Sequence, residues 1–189
     1  MEKPWYAQWF GKEYLDLYGH RDPLQAKIQV NELLTKINLA ENAVVLDAGC
    51  GAGRHLKELK EQGLNAFGMD LSLELLSSAP QGLKEKAAMV RADLFRLPFK
   101  ETCFEGVFSY FTSFGYFDSE EKDLELLKSM VSVLKSGGWL FLDLMNSEVV
   151  KACLPFKDVK ETLAGRAIQD RYFKDGGVCK DISLEKEGV

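Results

Sequence analysis

No apolar run in this chain of 189 residues approaches the ~20 residues that a membrane-crossing helix requires. The start, MEKPWYAQWF, has no basic stretch leading into an apolar one, so it does not read as a secretory signal. Histidine is scarce, with only His20 and His55. The four cysteines, Cys50, Cys103, Cys153 and Cys179, form no CxxC pair. A zinc framework at recognisable spacing is therefore missing, and no metal is expected. Free thiols in a reducing cytoplasm are the expectation. Positive charge is also in deficit: 24 Lys and Arg against 29 Asp and Glu leave a net charge of −5. Such a balance repels phosphate backbones and disfavours nonspecific nucleic-acid binding. Internal repeats and low-complexity linkers are absent as well.

What is present is an ordinary globular mix, 46 % hydrophobic and 28 % charged, in a length that suits one compact domain. Asp22-Pro23-x-Gln25 reads as a helix start, followed by Ala26, Val30, Leu33, Leu34 and Ile37 on one helical face. Ala43 to Asp47 is a short apolar run without alternation, which suits a strand buried on both faces. Glycines interrupt it, and Arg54 to Gln62 reads as a helix ended by Gly63. Asn65 to Asp70 predicts a second strand and Ser72 to Ala79 a second helix. Ala88 to Asp93 and Phe104 to Phe111 predict two more strands. A longer helix is expected from near Asp118, with Glu121 closing a capping box. Its stripe would be Leu124, Leu127, Val131 and Leu134, and Gly137-Gly138 would stop it. Trp139 to Met145 is a fifth, strongly apolar strand. Strands alternating with helices predict an α/β, Rossmann-like three-layer sandwich with a mostly parallel central sheet. Beyond Asn146, Ala167 to Phe173 and Val178 to Glu185 read as a C-terminal β-hairpin around Lys174 to Gly177.

The strongest chemical signal is VLDAGCGAGR, residues 45–54. A strand runs into a glycine-rich turn that opens a helix, so backbone N–H groups can approach a ligand. The alternative is a tight turn with no ligand. Asp47, Asp70 and Asp93 stand 23 residues apart, each at the expected end of a strand. In a parallel sheet those ends line one edge, where ligands bind. Asp70 has the acceptor-only chemistry to take both ribose hydroxyls; capping the next helix is its other reading, with Ser72 as competitor. A nicotinamide fingerprint would read GxGxxG, whereas the glycines here are Gly49, Gly51 and Gly53, with Arg54 in the last place.

With these motifs the chain resembles the class I S-adenosylmethionine-dependent methyltransferases. VLDAGCGAGRH is similar to that family's first motif, GMDLS to its acidic second-strand motif and RADLFRLPF to its third. FEGVFSYFTSFGYF and LKSGGWLFLDLMN are similar to its fourth and fifth strand regions. The resemblance runs from roughly Trp5 to Asn146. WYAQWFGKEYLDLYGHRD and FTSFGYF further resemble small-molecule members, some amino-sugar N-methyltransferases among them. The resemblance implies S-adenosylmethionine as cofactor. Gly49 and Gly51 would approach its methionine part, with Asp47 below. Asp70 would bind the ribose hydroxyls and Leu71 lie against the adenine. Asp93 would accept from the adenine amino group, Leu94 would offer its N–H, and Ser109 and Tyr110 would line the cofactor. Tyr14 and Arg21 would meet the methionine carboxylate.

The expected activity is methyl transfer to a small-molecule acceptor by in-line displacement, with no covalent nucleophile. Thr112, Ser113, Tyr116, Asn146, Trp5, Tyr6 and Trp9 are candidates around the acceptor. Tyr116 is the first choice as a catalytic proton handler, against the reading that it only packs. The Asn/Asp-Pro-Pro-aromatic motif of many DNA and protein amino-group methyltransferases is replaced by Ser109-Tyr-Phe-Thr-Ser113. Alternatives are a non-catalytic S-adenosylmethionine-binding module and an RNA methyltransferase, the latter opposed by the acidic balance. The expected layout is a single methyltransferase domain: an N-terminal helical lid at 1–40, a cofactor-binding core at 41–146 and an extension at 147–189. The partner is a small molecule, with neither nucleic acid nor membrane expected, and the oligomeric state stays open. The family's sixth and seventh strands are expected to be missing, with the hairpin forming a separate small sheet. The alternative has the hairpin supplying those strands.

Overall fold

The computed structural model describes residues 9–18, 23–85, 88–111, 114–115, 117, 119–162, 165–174 and 177–185. They divide into two compact units, one of residues 1–10 and 21–144, the other of residues 11–20 and 145–189.

The first unit is built on five parallel strands: β1 (Val44–Ala48), β2 (Asn65–Asp70), β3 (Met89–Arg91), β4 (Phe104–Ser109) and β5 (Leu134–Leu142). Their order is β3-β2-β1-β4-β5, so the chain leaves β1 to one side and returns on the other. That reversal opens a crevice at the carboxyl ends of the strands. Side chains alternate across β1: Val45 joins a core with Val30, Leu33, Leu56, Leu59 and Phe108, while Leu46 and Ala48 join Met69, Val107, Leu126 and Met130. Helices α2 (Pro23–Lys36) and α3 (Arg54–Glu61) contribute to the first core, and α6 (Glu120–Ser132) to the second. Two short helices, α4 (Leu73–Ser78) and α5 (Gln81–Glu85), lead from β2 to β3. Helices on both faces of a parallel sheet make the Rossmann-like sandwich that the alternation predicts.

Helix α2 begins at Pro23, and Ala26, Val30 and Leu33 are its buried face. Helix α3 ends as expected at Gly63, whose φ of 80° lets its N–H reach the Lys60 carbonyl. Several local expectations need correction. Strand β3 is shorter than predicted, so Asp93 lies two residues past it. Strand β4 stops at Ser109, because Phe111 turns to φ 61°. Helix α6 starts after Ser119, whose side chain accepts from the Lys122 N–H, while Asp118 lies outside the described residues. Its buried residues are Leu126 and Met130, whereas Leu124 and Val131 face solvent. The cause is phase: Leu126, Met130 and Val133 also recur at helical spacing, and theirs is the row that meets the sheet. Finally, Gly137 and Gly138 do not end that helix. They lie inside β5, where the pairing with β4 shifts between Phe104 and Gly106.

The second unit holds α1 (Lys12–Tyr18), α7 (Ser147–Ala152) and three antiparallel strands, β6 (Phe156–Thr162), β7 (Gly165–Lys174) and β8 (Gly177–Glu185). The predicted hairpin is β7–β8, paired from Arg166↔Glu185 to Lys174↔Gly177. It forms a separate sheet, which β6 extends on the other side of β7. Among the described residues no helix is long and apolar enough to cross a membrane.

Candidate functional site

The turn after β1 is clamped to β2: the N–H groups of Gly49 and Cys50 both donate to the Met69 carbonyl, each at 2.9 Å. This holds the glycine turn over the end of the sheet. Gly51 stands at φ 54°, a left-handed backbone that glycine adopts without strain. A Cβ there would meet only Leu75 Cδ1 at 3.7 Å, so the requirement is conformational rather than steric. At Gly53 both demands act: φ is 80° and a Cβ would fall 2.7 Å from Leu83 Cδ1. Helix α3 starts immediately after it, with its first N–H groups at the sheet's edge.

Asp70 closes the turn. Its Oδ2 accepts from the Gly51 N–H and its Oδ1 from the Ser72 N–H, both at 2.8 Å. Burial raises its carboxyl above the usual range, opposed by the N–H groups of Ser72, Gly51 and Leu71. A carboxylate has about four lone-pair sites, so Asp70 retains acceptor capacity for two hydroxyls. The helix-capping role belongs instead to Ser72, whose Oγ accepts from the Leu75 N–H. That hydroxyl also donates to the Phe10 carbonyl, tying the N-terminal segment to the turn after β2.

Asp47 is 1 % exposed, and neither carboxylate oxygen has a well-formed hydrogen bond among the described residues. Burial, then the charge of Asp70, pushes its carboxyl up from 3.8 to about 7; Leu56 N–H and Arg54 pull weakly the other way. The same burial, with Asp47 and Asp70 nearby, raises the Cys50 thiol far out of the reactive range. Ser109 at the end of β4 is buried, and its Oγ likewise has no partner among the described residues. Tyr110 follows it, its phenol pushed well up by burial and then by Asp47 and Asp143.

Asp93 follows the β2–β3 ladder, in which Asp70 pairs with Arg91 and the Ala92 N–H donates to the Asp70 carbonyl at 3.0 Å. Asp93 Oδ1 accepts from the Phe95 N–H at 3.0 Å, which shapes the loop carrying Leu94. Leu71 follows Asp70 directly, its carbonyl held by Arg91 Nε at 3.0 Å. Thus Asp47, Gly49, Gly51, Asp70, Leu71, Asp93, Leu94, Ser109 and Tyr110 all stand at the carboxyl ends of β1 to β4. Tyr14 belongs to the second unit, where its ring lies 4.9 Å from that of Tyr18. Asn146, also there, caps α7 by accepting from Glu148 and Val149 N–H. Arg21, Tyr116, Thr112, Ser113, Trp5 and Tyr6 lie outside the described residues. One acid escaped the sequence reading. Asp143, one residue past β5, holds the Phe111 N–H with Oδ2 at 3.0 Å and donates its own N–H to the Ser109 carbonyl at 2.9 Å. The expected strand ran from Trp139 to Met145 and so hid Asp143 inside it; with β5 ending at Leu142, the rule that picks out Asp70 applies to Asp143 too.

A glycine turn at the carboxyl end of β1, acids on β1 and β2 and a reversal of strand order define a Rossmann-like cofactor-binding protein. Residues 45–138 match the family model described as "Methyltransferase domain". YqeM of Bacillus subtilis, which carries a methyltransferase name, is 29 % identical over 132 residues, covering 67 % of this chain and 53 % of its own length. A dTDP-3-amino-3,4,6-trideoxy-alpha-D-glucopyranose N,N-dimethyltransferase of Streptomyces venezuelae is 31 % identical over 107 residues, covering 56 % of this chain and 44 % of the relative. Among solved structures, an S-adenosylmethionine-dependent methyltransferase from Clostridium acetobutylicum superposes with a TM-score of 0.67 at 17 % identity, covering 93 % of this chain and 80 % of that one. The chain thus carries a methyltransferase domain, on a fold it shares with S-adenosylmethionine-dependent methyltransferases. It spans about half the length of these two curated relatives. The residues present fit the family's cofactor: Gly51 lets backbone approach it, Asp70 keeps acceptor sites for a diol, and Asp47 holds a buried carboxyl with no well-formed hydrogen bond among the described residues.

Proposed function

We propose that this chain acts as a methyltransferase on a small-molecule acceptor, in the cytoplasm, and that the carboxyl ends of β1 to β4 form its cofactor site. The observation that carries this is Asp70, fixed by Gly51 and Ser72 N–H groups with acceptor sites to spare. When bound, S-adenosylmethionine supplies an electrophilic methyl on a sulfonium, so the protein needs no covalent nucleophile. What the chain must do is bind and orient. Asp70 would hold the ribose hydroxyls, and Gly49 and Gly51 would admit the methionine part beside Asp47. Leu71, Asp93 and Leu94 would surround the adenine, and Ser109 and Tyr110 would close the side toward β4. Tyr14 and Arg21 are proposed for the methionine carboxylate, and Tyr116 as the proton handler, on the sequence resemblance. A small acceptor is supported by the acidic composition and by the match to a sugar N,N-dimethyltransferase. The test is mass spectrometry of small-molecule extracts incubated with protein and methyl-labelled cofactor. Label in a low-mass product is expected; label appearing only in RNA or protein would overturn the small-molecule reading.

A further inference from the structure

Tyr110 leaves β4 into a cage of rings. His55, on the first turn of α3, lies flat against it, with centroids 4.1 Å apart and planes 3° from parallel. Phe108 meets the phenol edge-on at 6.4 Å and Phe141 at a tilt at 5.1 Å. The imidazole is itself held: His55 Nε2 pairs with Gln29 Oε1 of α2 at 2.8 Å. An amide oxygen only accepts, so with this amide orientation Nε2 carries the proton and the ring cannot turn about its stack without losing the bond. His55 is 5 % exposed, so the contact is dry. A buried imidazole N–H needs an acceptor whatever its role; it is the parallel stack on Tyr110, with the amide holding the ring in that plane, that space-filling alone would not require. The ring it fixes is the one whose hydroxyl feels both Asp47 and Asp143, at the edge where the candidate cofactor residues gather.

We infer that His55, oriented by Gln29, is a positioning residue that fixes the Tyr110 ring as one wall of the cofactor pocket. The inference rests on the cofactor site proposed above. The chain of contacts runs from α2 through the helix that begins at the glycine turn to the end of β4. It couples α2 to the pocket without His55 touching the cofactor. An aromatic pair of this kind contributes enough that losing it should weaken the cofactor roughly 3- to 10-fold.

The experiment labels the protein with 3-fluorotyrosine, assigns the Tyr110 fluorine resonance by its loss in Tyr110→Phe, and titrates S-adenosylhomocysteine in parallel. One sharp Tyr110 line is expected in the wild type. His55→Ala should broaden or split that line and weaken binding, while His55→Phe, which keeps a flat ring, should restore both. Gln29→Leu should disturb the line in the same direction, and it carries the test if His55→Ala fails to fold. An unchanged Tyr110 line in His55→Ala or Gln29→Leu, with only the melting temperature lowered, would overturn the inference. A wild type with a sharp Tyr110 line and no cofactor binding would instead refute the proposed site, leaving the line itself to judge His55.

Discussion

Asp70 accepts two backbone N–H bonds through different oxygens, while Asp47, one strand away, has no well-formed hydrogen bond to either of its own among the described residues. The two carboxylates therefore make different predictions. Removing a charged hydrogen-bond partner costs ~1.5–3 kcal/mol, so Asp70→Ala should weaken S-adenosylhomocysteine about 10- to 100-fold by calorimetry. Unchanged affinity would mean that the ribose is held elsewhere. For Asp47 the readout is stability against pH. Unfolded, the group ionises near the ordinary 3.8; folded, burial and Asp70 raise it to about 7. Between those values the folded chain holds the extra proton, so this group's contribution is whole below the lower value and is lost as pH rises through the upper one. Asp47→Asn should gain stability relative to wild type as pH climbs through that window, measured by denaturant unfolding on either side of it. A wild-type-minus-variant difference that ignores pH would refute the buried, unpaired carboxyl. Asp47 and Asp70 were legible in the sequence because acids at the ends of buried strands have few other uses. The burial that raises Asp47 was not legible, since it depends on what α3 and β4 lay over it.

The glycine turn and helix α6 show what an element's sequence does and does not encode. At Gly51 the left-handed backbone is required by the turn, and a left-handed alanine costs about 1–2 kcal/mol. Gly51→Ala should lose that stability and also cofactor affinity. Gly63→Ala is the control: φ is 80° with nothing within 4 Å of a Cβ, so it should lose similar stability with affinity intact. Equal affinity in both variants would argue against a ligand at the turn. In α6 two apolar rows satisfy helical spacing, one through Leu124 and Val131 and one through Leu126 and Met130. Periodicity cannot choose between them; only the sheet face beneath does. Leu126→Ala should cost about 2–5 kcal/mol, whereas Leu124→Ala, 50 % exposed, should stay within about 0.5 kcal/mol. Denaturant midpoints decide between the two rows.

For the whole molecule, alternation of strand and helix made the sheet from Val44 to Leu142 legible, because parallel strands need long crossovers, here helical in every case but β3 to β4. The hairpin at β7 and β8 was legible from its turn, but β6, FKDVKET with few apolar residues, lacks the alternation that marks a strand. The partner strand β7 supplies what its own sequence does not, pairing with it from Phe156↔Arg171 to Thr162↔Gly165. The sheet order is one that dinucleotide-binding domains share, so it is the glycine spacing that separates this chain from them. The most direct test is a calorimetric titration of the wild-type chain with S-adenosylmethionine, S-adenosylhomocysteine and NAD. Saturable binding of the first two and none of the third is the expected result; tight NAD binding with no response to either S-adenosyl compound would contradict it.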